Sequence, residues 1–234
     1  MRNSQWSPGS TALLPAVAVD LVVFTLIEGR LQVRLATRDE EPFAGVLALP
    51  GGFVRSDENL DEAAAREFVE ETGLARLRTH LEQLRSYGDV ARDPRGRAFS
   101  VAYLVLAPGV PDPVPGTEPA RSRWLPIEAA LASRLAFDHA AILRDGLDRV
   151  RGKLEYSSLA TAFCPAEFTV AELRVVYEAV WGRPLDPRNF HRKITGTPGL
   201  LVETGRARRE GPGRPATLYR AGLVNTLNPP LTRD

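Results

Sequence analysis

Residues 52–74 read GFVRSDENLDEAAAREFVEETGL, and their spacing decides the fold of the first part of the chain. Gly52 is followed after five residues by Glu58, and after seven more by Arg66-Glu67, then Phe68, Glu70-Glu71, Gly73 and Leu74. Ala63, Ala64 and Phe68 recur at helical spacing. Ser56 or Asp57 is expected to cap that helix, and Gly73 to end it after Thr72. On such a helix Glu67 lies three and four residues from Glu70 and Glu71, so the three carboxylates share one face. Like charges at that spacing cost about 0.2–0.5 kcal/mol per pair, which makes most sense if the face meets cations. Clustered carboxylates suit Mg²⁺ or Mn²⁺, hard ions that also bridge to phosphate oxygens. Arg66 is positioned to pair with Glu58 and hold the turn onto the helix. A solvated acidic face would explain three glutamates alone; it does not explain the whole spacing or the preceding Leu49-Pro50-Gly51-Gly52.

Working outward, the chain of 234 residues is long enough for one sizeable core and a small second domain. It is 44% hydrophobic and 25% charged, with net charge +1, an ordinary composition for a soluble globular protein. The single cysteine, Cys164, excludes an internal disulfide and a thiolate zinc cluster. No run approaches the apolar length of a membrane span, and MRNSQWSPGS lacks the order of a signal peptide, so a cytoplasmic protein with no membrane partner is expected. The small total charge hides an asymmetry. Residues 1–150 hold 17 Lys/Arg and 21 Asp/Glu, net −4, whereas residues 151–234 hold 13 and 8, net +5. Different partners for the two halves follow.

Val17 to Ile27 reads as a long strand and Leu31 to Thr37 as its hairpin mate, with Val46 to Leu49 feeding the glycine turn. Leu81 to Tyr87, Phe99 to Leu106 and Arg123 to Pro126 are further strands. Ile127 to Leu135 and Asp138 to Val150 are helices. This order predicts an α/β sandwich. A domain boundary is expected near 151–156, giving a first domain of residues 1–152 and a second of 153–234.

In the second domain Thr169 and Glu172 form a capping box for a helix from Val170 to Trp181, stopped by Gly182-Arg183-Pro184. Asp186-Pro187 starts a short helix on which Phe190 and Ile194 face inward, leaving Arg188, Asn189, Arg192 and Lys193 outward. Two helices joined by a tight turn predict a helix-turn-helix, whose second helix enters the major groove of double-stranded DNA. Leu200 to Val202 and Ala216 to Tyr219 flank a basic hairpin tip with Arg206, Arg208, Arg209 and Arg214, a wing suited to phosphates or the minor groove.

The segment 52–74 resembles the Nudix hydrolase signature with every fixed position present. Nearly the whole chain after residue 15 resembles the Nudix-related transcriptional regulators of NAD metabolism, on Leu49-Pro50-Gly51-Gly52-Phe53-Val54-Arg55, Asp93-Pro94-Arg95-Gly96-Arg97, Phe137-Asp138-His139, Gly152-Lys153-Leu154-Glu155-Tyr156-Ser157 and Gly182-Arg183-Pro184-Leu185-Asp186. The resemblance implies a Nudix α/β/α sandwich followed by a winged helix-turn-helix. It implies a homodimeric DNA-binding repressor of NAD synthesis or salvage genes, responsive to ADP-ribose or a related NAD derivative. Many such regulators carry a degraded signature; this one is intact, which keeps a metal-dependent ADP-ribose pyrophosphatase as the alternative. For an enzyme the resemblance implies Glu67, Glu70, Glu71 and the Gly51 carbonyl as metal ligands, with Glu67, Glu70 and Glu71 catalytic. A general base would come from outside, Asp112 and Glu118 being the nearby candidates. Tyr87, Arg95, Arg97 and Phe99 are candidate effector contacts. A winged helix that binds protein instead of DNA is the third class.

Overall fold

The computed structural model describes residues 14–73, 79–109, 122–209 and 215–233. Strand β1 (Ala16–Ile27) is the spine of the first half. It pairs antiparallel with β2 (Arg30–Thr37) across the turn at Glu28-Gly29. Two short strands follow, β3 (Leu47–Ala48) on β2 and β4 (Gly51–Phe53) back on β1. The glycine stretch expected to be a turn is thus itself a strand, Gly51 opposite Asp20 and Gly52 opposite Val19. After helix α1 (Leu60–Thr72) come β5 (His80–Tyr87), β6 (Ala98–Leu106) and β7 (Ser122–Pro126). The sheet path is β3-β2-β1-β6-β5, with β4 on β1, β7 on β2, and β1–β6 the parallel pair.

Both faces of β1 are covered, which is why its sequence is an almost unbroken apolar run. Val19, Leu21 and Val23 meet Ala63, Ala64 and Phe68 of α1 on one face. Val22 and Phe24 point to the other, where α2 (Ile127–Ala132) and α3 (His139–Tyr156) lie. Gly146 is what lets α3 seat there: a Cβ at that position would stand 2.8 Å from Val22 Cγ1.

Helix α3 runs past residue 150, because Val150 and Leu154 continue its buried stripe. Residues 152 and 153 therefore lie inside a continuous helix, and the change in charge near 151 is not a break in secondary structure. A 3₁₀ turn (Ser158–Phe163), α4 (Val170–Trp181), α5 (Pro187–Thr195), β8 (Leu201–Arg208) and β9 (Ala216–Ala221) complete the chain. Phe168 joins the β8–β9 hairpin by exchanging two backbone hydrogen bonds with Tyr219, of 2.9 and 2.8 Å. The result is a winged helix. Leu173, Val176, Tyr177 and Val180 of α4 pack in the same apolar cluster as Leu154 and Val22, so one core crosses both halves. The tail returns to α3: Leu227 N–H donates to Tyr156 O and Leu231 N–H to Glu155 O, each at 2.8 Å, satisfying carbonyls at the helix end.

Candidate functional site

Helix α1 is capped by Asn59, correcting the expectation of Ser56 or Asp57. Asn59 Oδ1 accepts from Glu62 N–H and Glu62 returns the bond to Asn59 N–H, a reciprocal box that neither earlier residue can make at the right offset. Gly73 ends the helix at φ 70°, as expected. Arg66 does more than pair with Glu58. Its Nε and NH2 donate to the two Glu58 oxygens at 2.9 and 2.7 Å, and its NH1 donates to Glu67 at 2.5 Å and Glu70 at 3.0 Å. The guanidinium and the Arg55 amide hold the Glu58 carboxyl down to about 2. Glu67 is buried over Gly52, where a Cβ would fall 2.2 Å from its Oε1; only glycine leaves that cradle open. Glu70 is exposed and also reaches Arg55 at 3.3 Å. Glu71 is half-buried, and burial followed by the Glu67 charge pushes its carboxyl up, against Arg34.

These oxygens are the right donors for Mg²⁺ or Mn²⁺, but their arrangement does not fit a bound ion. Arg66 stands between Glu67 and Glu70, and among the described residues no three carboxylate, imidazole or thiol groups converge on one point. Asp112 and Glu118 lie outside the described residues.

A cavity of about 220 Å³ opens beside β4 on the other side of Gly51 and Gly52. Its wall is built from distant segments: Asp20 of β1, Arg38 and Glu40 after β2, Phe53, Arg92, Asp93 and Arg95, and Phe137 and His139 where the chain enters α3. Arg92 is almost fully buried and forks onto Asp138 at 2.8 and 3.0 Å while reaching Asp20 at 3.3 Å. Ser100 donates to Asp20 at 2.5 Å. His139 Nδ1 accepts from the Leu49 amide at 2.9 Å, so the proton of the neutral ring is on Nε2, which faces Asp20 Oδ1 at 3.4 Å. Burial keeps this imidazole below its usual pKa.

The mouth carries aromatic and guanidinium groups together. Arg38 lies 4.8 Å from the Phe137 ring, and Arg95 5.6 Å from Phe137 and 5.5 Å from Phe53. Phe43 meets Phe137 edge to face at 4.9 Å, and both residues have left-handed backbones, φ 73° and 50°. Such non-glycine conformations cost free energy and persist where packing holds them. Planar rings beside arginines suit a ligand with a flat base and phosphates. Of the candidate effector residues, Arg95 lines this cavity, and Arg95 and Arg97 line an adjoining one of about 550 Å³ with Leu14 and Phe53. Tyr87 and Phe99 line neither. Tyr87 donates to Asp145 at 2.7 Å, and Phe99 lies under Arg97 at 4.4 Å. Asp20, Arg38, Arg92 and Phe53 were not anticipated, since no spacing in the chain links them.

In the second half the Thr169–Glu172 box and the Asp186 cap with Pro187 in the first turn are both present. Tyr177 meets Phe190 at 5.3 Å, and Leu185 N–H donates to Glu178 at 2.8 Å, fixing α5 against α4. Phe190 and Ile194 are buried; Arg188, Asn189 and Arg192 are exposed and Lys193 is half-buried. Arg192 donates to Asn189 Oδ1 at 2.8 Å. On the wing Arg206 pairs with Glu167 and Arg208 with Glu172, and Arg209 is exposed. Arg214 lies outside the described residues. His191 is exposed, and the Cys164 thiol is pushed by burial up to about 12, an unreactive position.

An α/β sandwich with the intact glycine–glutamate signature, continued through a shared helix into a winged helix, defines a Nudix domain fused to a DNA-binding module. The family models agree: NUDIX domain over residues 15–146 and NrtR DNA-binding winged helix domain over 160–221. The chain is 36% identical over 213 residues to the ADPR responsive transcriptional repressor NtrR of Acinetobacter baylyi, covering 89% of this chain and 83% of the relative. It is 37% identical over 133 residues to an ADP-ribose pyrophosphatase of Methanocaldococcus jannaschii, 57% of this chain and 73% of that one. The crystal structure of Shewanella oneidensis NrtR complexed with a 27mer DNA superposes with TM-score 0.74 at 32% identity, covering 89% of this chain and 98% of that one. The chain belongs to the Nudix superfamily and, within it, to the NrtR-like ADP-ribose-responsive transcriptional regulators.

Proposed function

We propose that this protein is a homodimeric repressor of NAD synthesis or salvage genes. It reads duplex DNA through α5 and the wing and responds to ADP-ribose, or a related NAD derivative, bound in the cavity beside β4. The observation that carries this reading is α3. Its first residue, His139, lines the cavity, its cap Asp138 holds the cavity's Arg92, and its last turn packs Leu154 into the core of α4, so one helix links the cavity to the winged helix. Arg188, Asn189, Arg192 and Lys193 are the base and phosphate contacts of α5, and Arg38, Arg95 and Arg97 those of the effector. Purified protein mixed with fragments of its own genome should enrich a small set of roughly two-fold symmetric sites, and ADP-ribose should change their recovery. Recovery of unselected fragments, with or without ADP-ribose, would end the reading.

A second reading, metal-dependent hydrolysis of ADP-ribose at Glu67, Glu70 and Glu71, is favoured by the complete signature and by the pyrophosphatase relative. The engagement of Arg66 with Glu67 and Glu70 stands against it. Release of AMP from ADP-ribose with Mg²⁺ or Mn²⁺, abolished by Glu71→Gln, would establish it.

A further inference from the structure

The wing is less positive than its sequence. Glu167 sits at the foot of the wing, its backbone fixed because the next residue, Phe168, is buried and bonded twice to Tyr219. From there its carboxylate takes two arginines at once. Oε1 accepts from Arg220 Nε and NH2 at 3.1 and 2.7 Å, and Oε2 pairs with Arg206. Both guanidiniums are more than 60% exposed, whereas Glu167 is 17% exposed. On the neighbouring edge Arg208 pairs with Glu172 at 2.6 Å. Hydrogen bonds from Arg206 and Arg220 hold the Glu167 carboxyl below its ordinary range, so it is ionised at neutral pH.

We propose that Glu167, with Glu172 beside it, is a specificity-determining residue that withholds Arg206, Arg220 and Arg208 of the wing from phosphate. Phosphate contacts contribute the same affinity on every sequence, and each adds about 0.9 to the salt slope. With Arg206, Arg208 and Arg220 already paired, the wing must give up an ion pair for each phosphate these three take. That lowers binding to any duplex and leaves discrimination to the side chains of α5. The inference rests on the DNA-binding reading above.

Glu167→Gln is the clean variant, since it keeps shape and removes charge; Glu172→Gln would also disturb the capping box at Thr169. Full-length protein would be titrated by fluorescence anisotropy against two duplexes of equal length, one enriched by the wild-type chain and one of random sequence, over a range of KCl. Glu167→Gln should tighten random-duplex binding by roughly three- to tenfold at low salt and steepen its log–log salt slope by up to about 1.8. The ratio between enriched and random duplex should shrink. Arg206→Gln should remove about half of that gain in the Glu167→Gln background, the rest belonging to Arg220, and change little in the wild type. If the wild type binds both duplexes and Glu167→Gln leaves slope and ratio unchanged, or weakens binding, the wing inference falls while the DNA-binding reading stands. If the wild type binds no duplex at any salt, both fall.

Discussion

Gly146→Ala tests the seating of α3 on the sheet. A Cβ there would stand 2.8 Å from Val22 Cγ1 and 3.1 Å from Val22 Cβ and Cγ2, where carbon contacts prefer about 3.5–4.0 Å. Val22 cannot yield easily: it is β-branched, fully buried, and held by a strand paired on both sides. The helix must lift by roughly 0.5–1 Å to restore contact distance. Overpacking of this kind costs about 1–3 kcal/mol, while alanine in place of glycine inside a helix returns about 0.8–1 kcal/mol. A net loss of about 1 kcal/mol is expected. Val22→Ala alone should cost about 1–3 kcal/mol through lost contacts. In the double variant the new methyl occupies the vacated space, so the two losses should add to about 1 kcal/mol less than their sum. Urea unfolding of the four proteins gives these numbers. A Gly146→Ala protein stabilised by the full helical increment, additive with Val22→Ala, would refute the close packing and with it the rigid link between the halves.

Three further outcomes are expected. His139 is neutral in the fold with its pKa held low by burial, so the unfolded chain takes up protons first; stability should fall as pH drops through about 6.5. His139→Gln should flatten that limb of urea midpoint against pH, and an unchanged limb would assign it elsewhere. Glu71 has its pKa raised, so its ionisation opposes folding above the ordinary value of 4.5. Glu71→Gln should stabilise the protein at neutral pH and make no difference below that value, and a loss of stability at neutral pH would contradict the assigned burial. Arg192→Ala with Lys193→Ala should weaken binding to the enriched duplex at least tenfold with no change in the thermal midpoint beyond a few degrees, roughly the effect of substitutions at an exposed and a half-buried surface position; equal affinity would remove α5 as the reader.

Local chemistry made much of this legible in the sequence. The signature helix, the Gly73 stop, the Arg66–Glu58 pair, the Thr169–Glu172 box and the Asp186-Pro187 start each depend on residues within a few positions of one another. Asn59 was missed because Ser56 and Asp57 are equally good caps by type; the Asn59-to-Glu62 offset was the available signal. The helix read as Asp138 to Val150 runs on to Tyr156, because Val150 and Leu154 keep the helical period. What stayed hidden is tertiary. Asp20, Arg92, Asp138 and His139 meet only when β1, the turn before β6 and α3 are folded together. The capture of Arg206 by Glu167 spans the whole winged helix, where the sequence offers simply a run of arginines.

On the proposed function, the effector cavity and the DNA-binding face belong to one switch. Calorimetric titration of ADP-ribose into the full chain, alone and saturated with the enriched duplex, measures it directly. Linkage requires that whatever factor ADP-ribose imposes on DNA affinity, DNA imposes on ADP-ribose affinity. A shift of at least about fivefold in the ADP-ribose Kd, matched by the same shift in DNA Kd, is predicted. Equal ADP-ribose affinity with and without DNA would show the two sites to be uncoupled and rule out the switch.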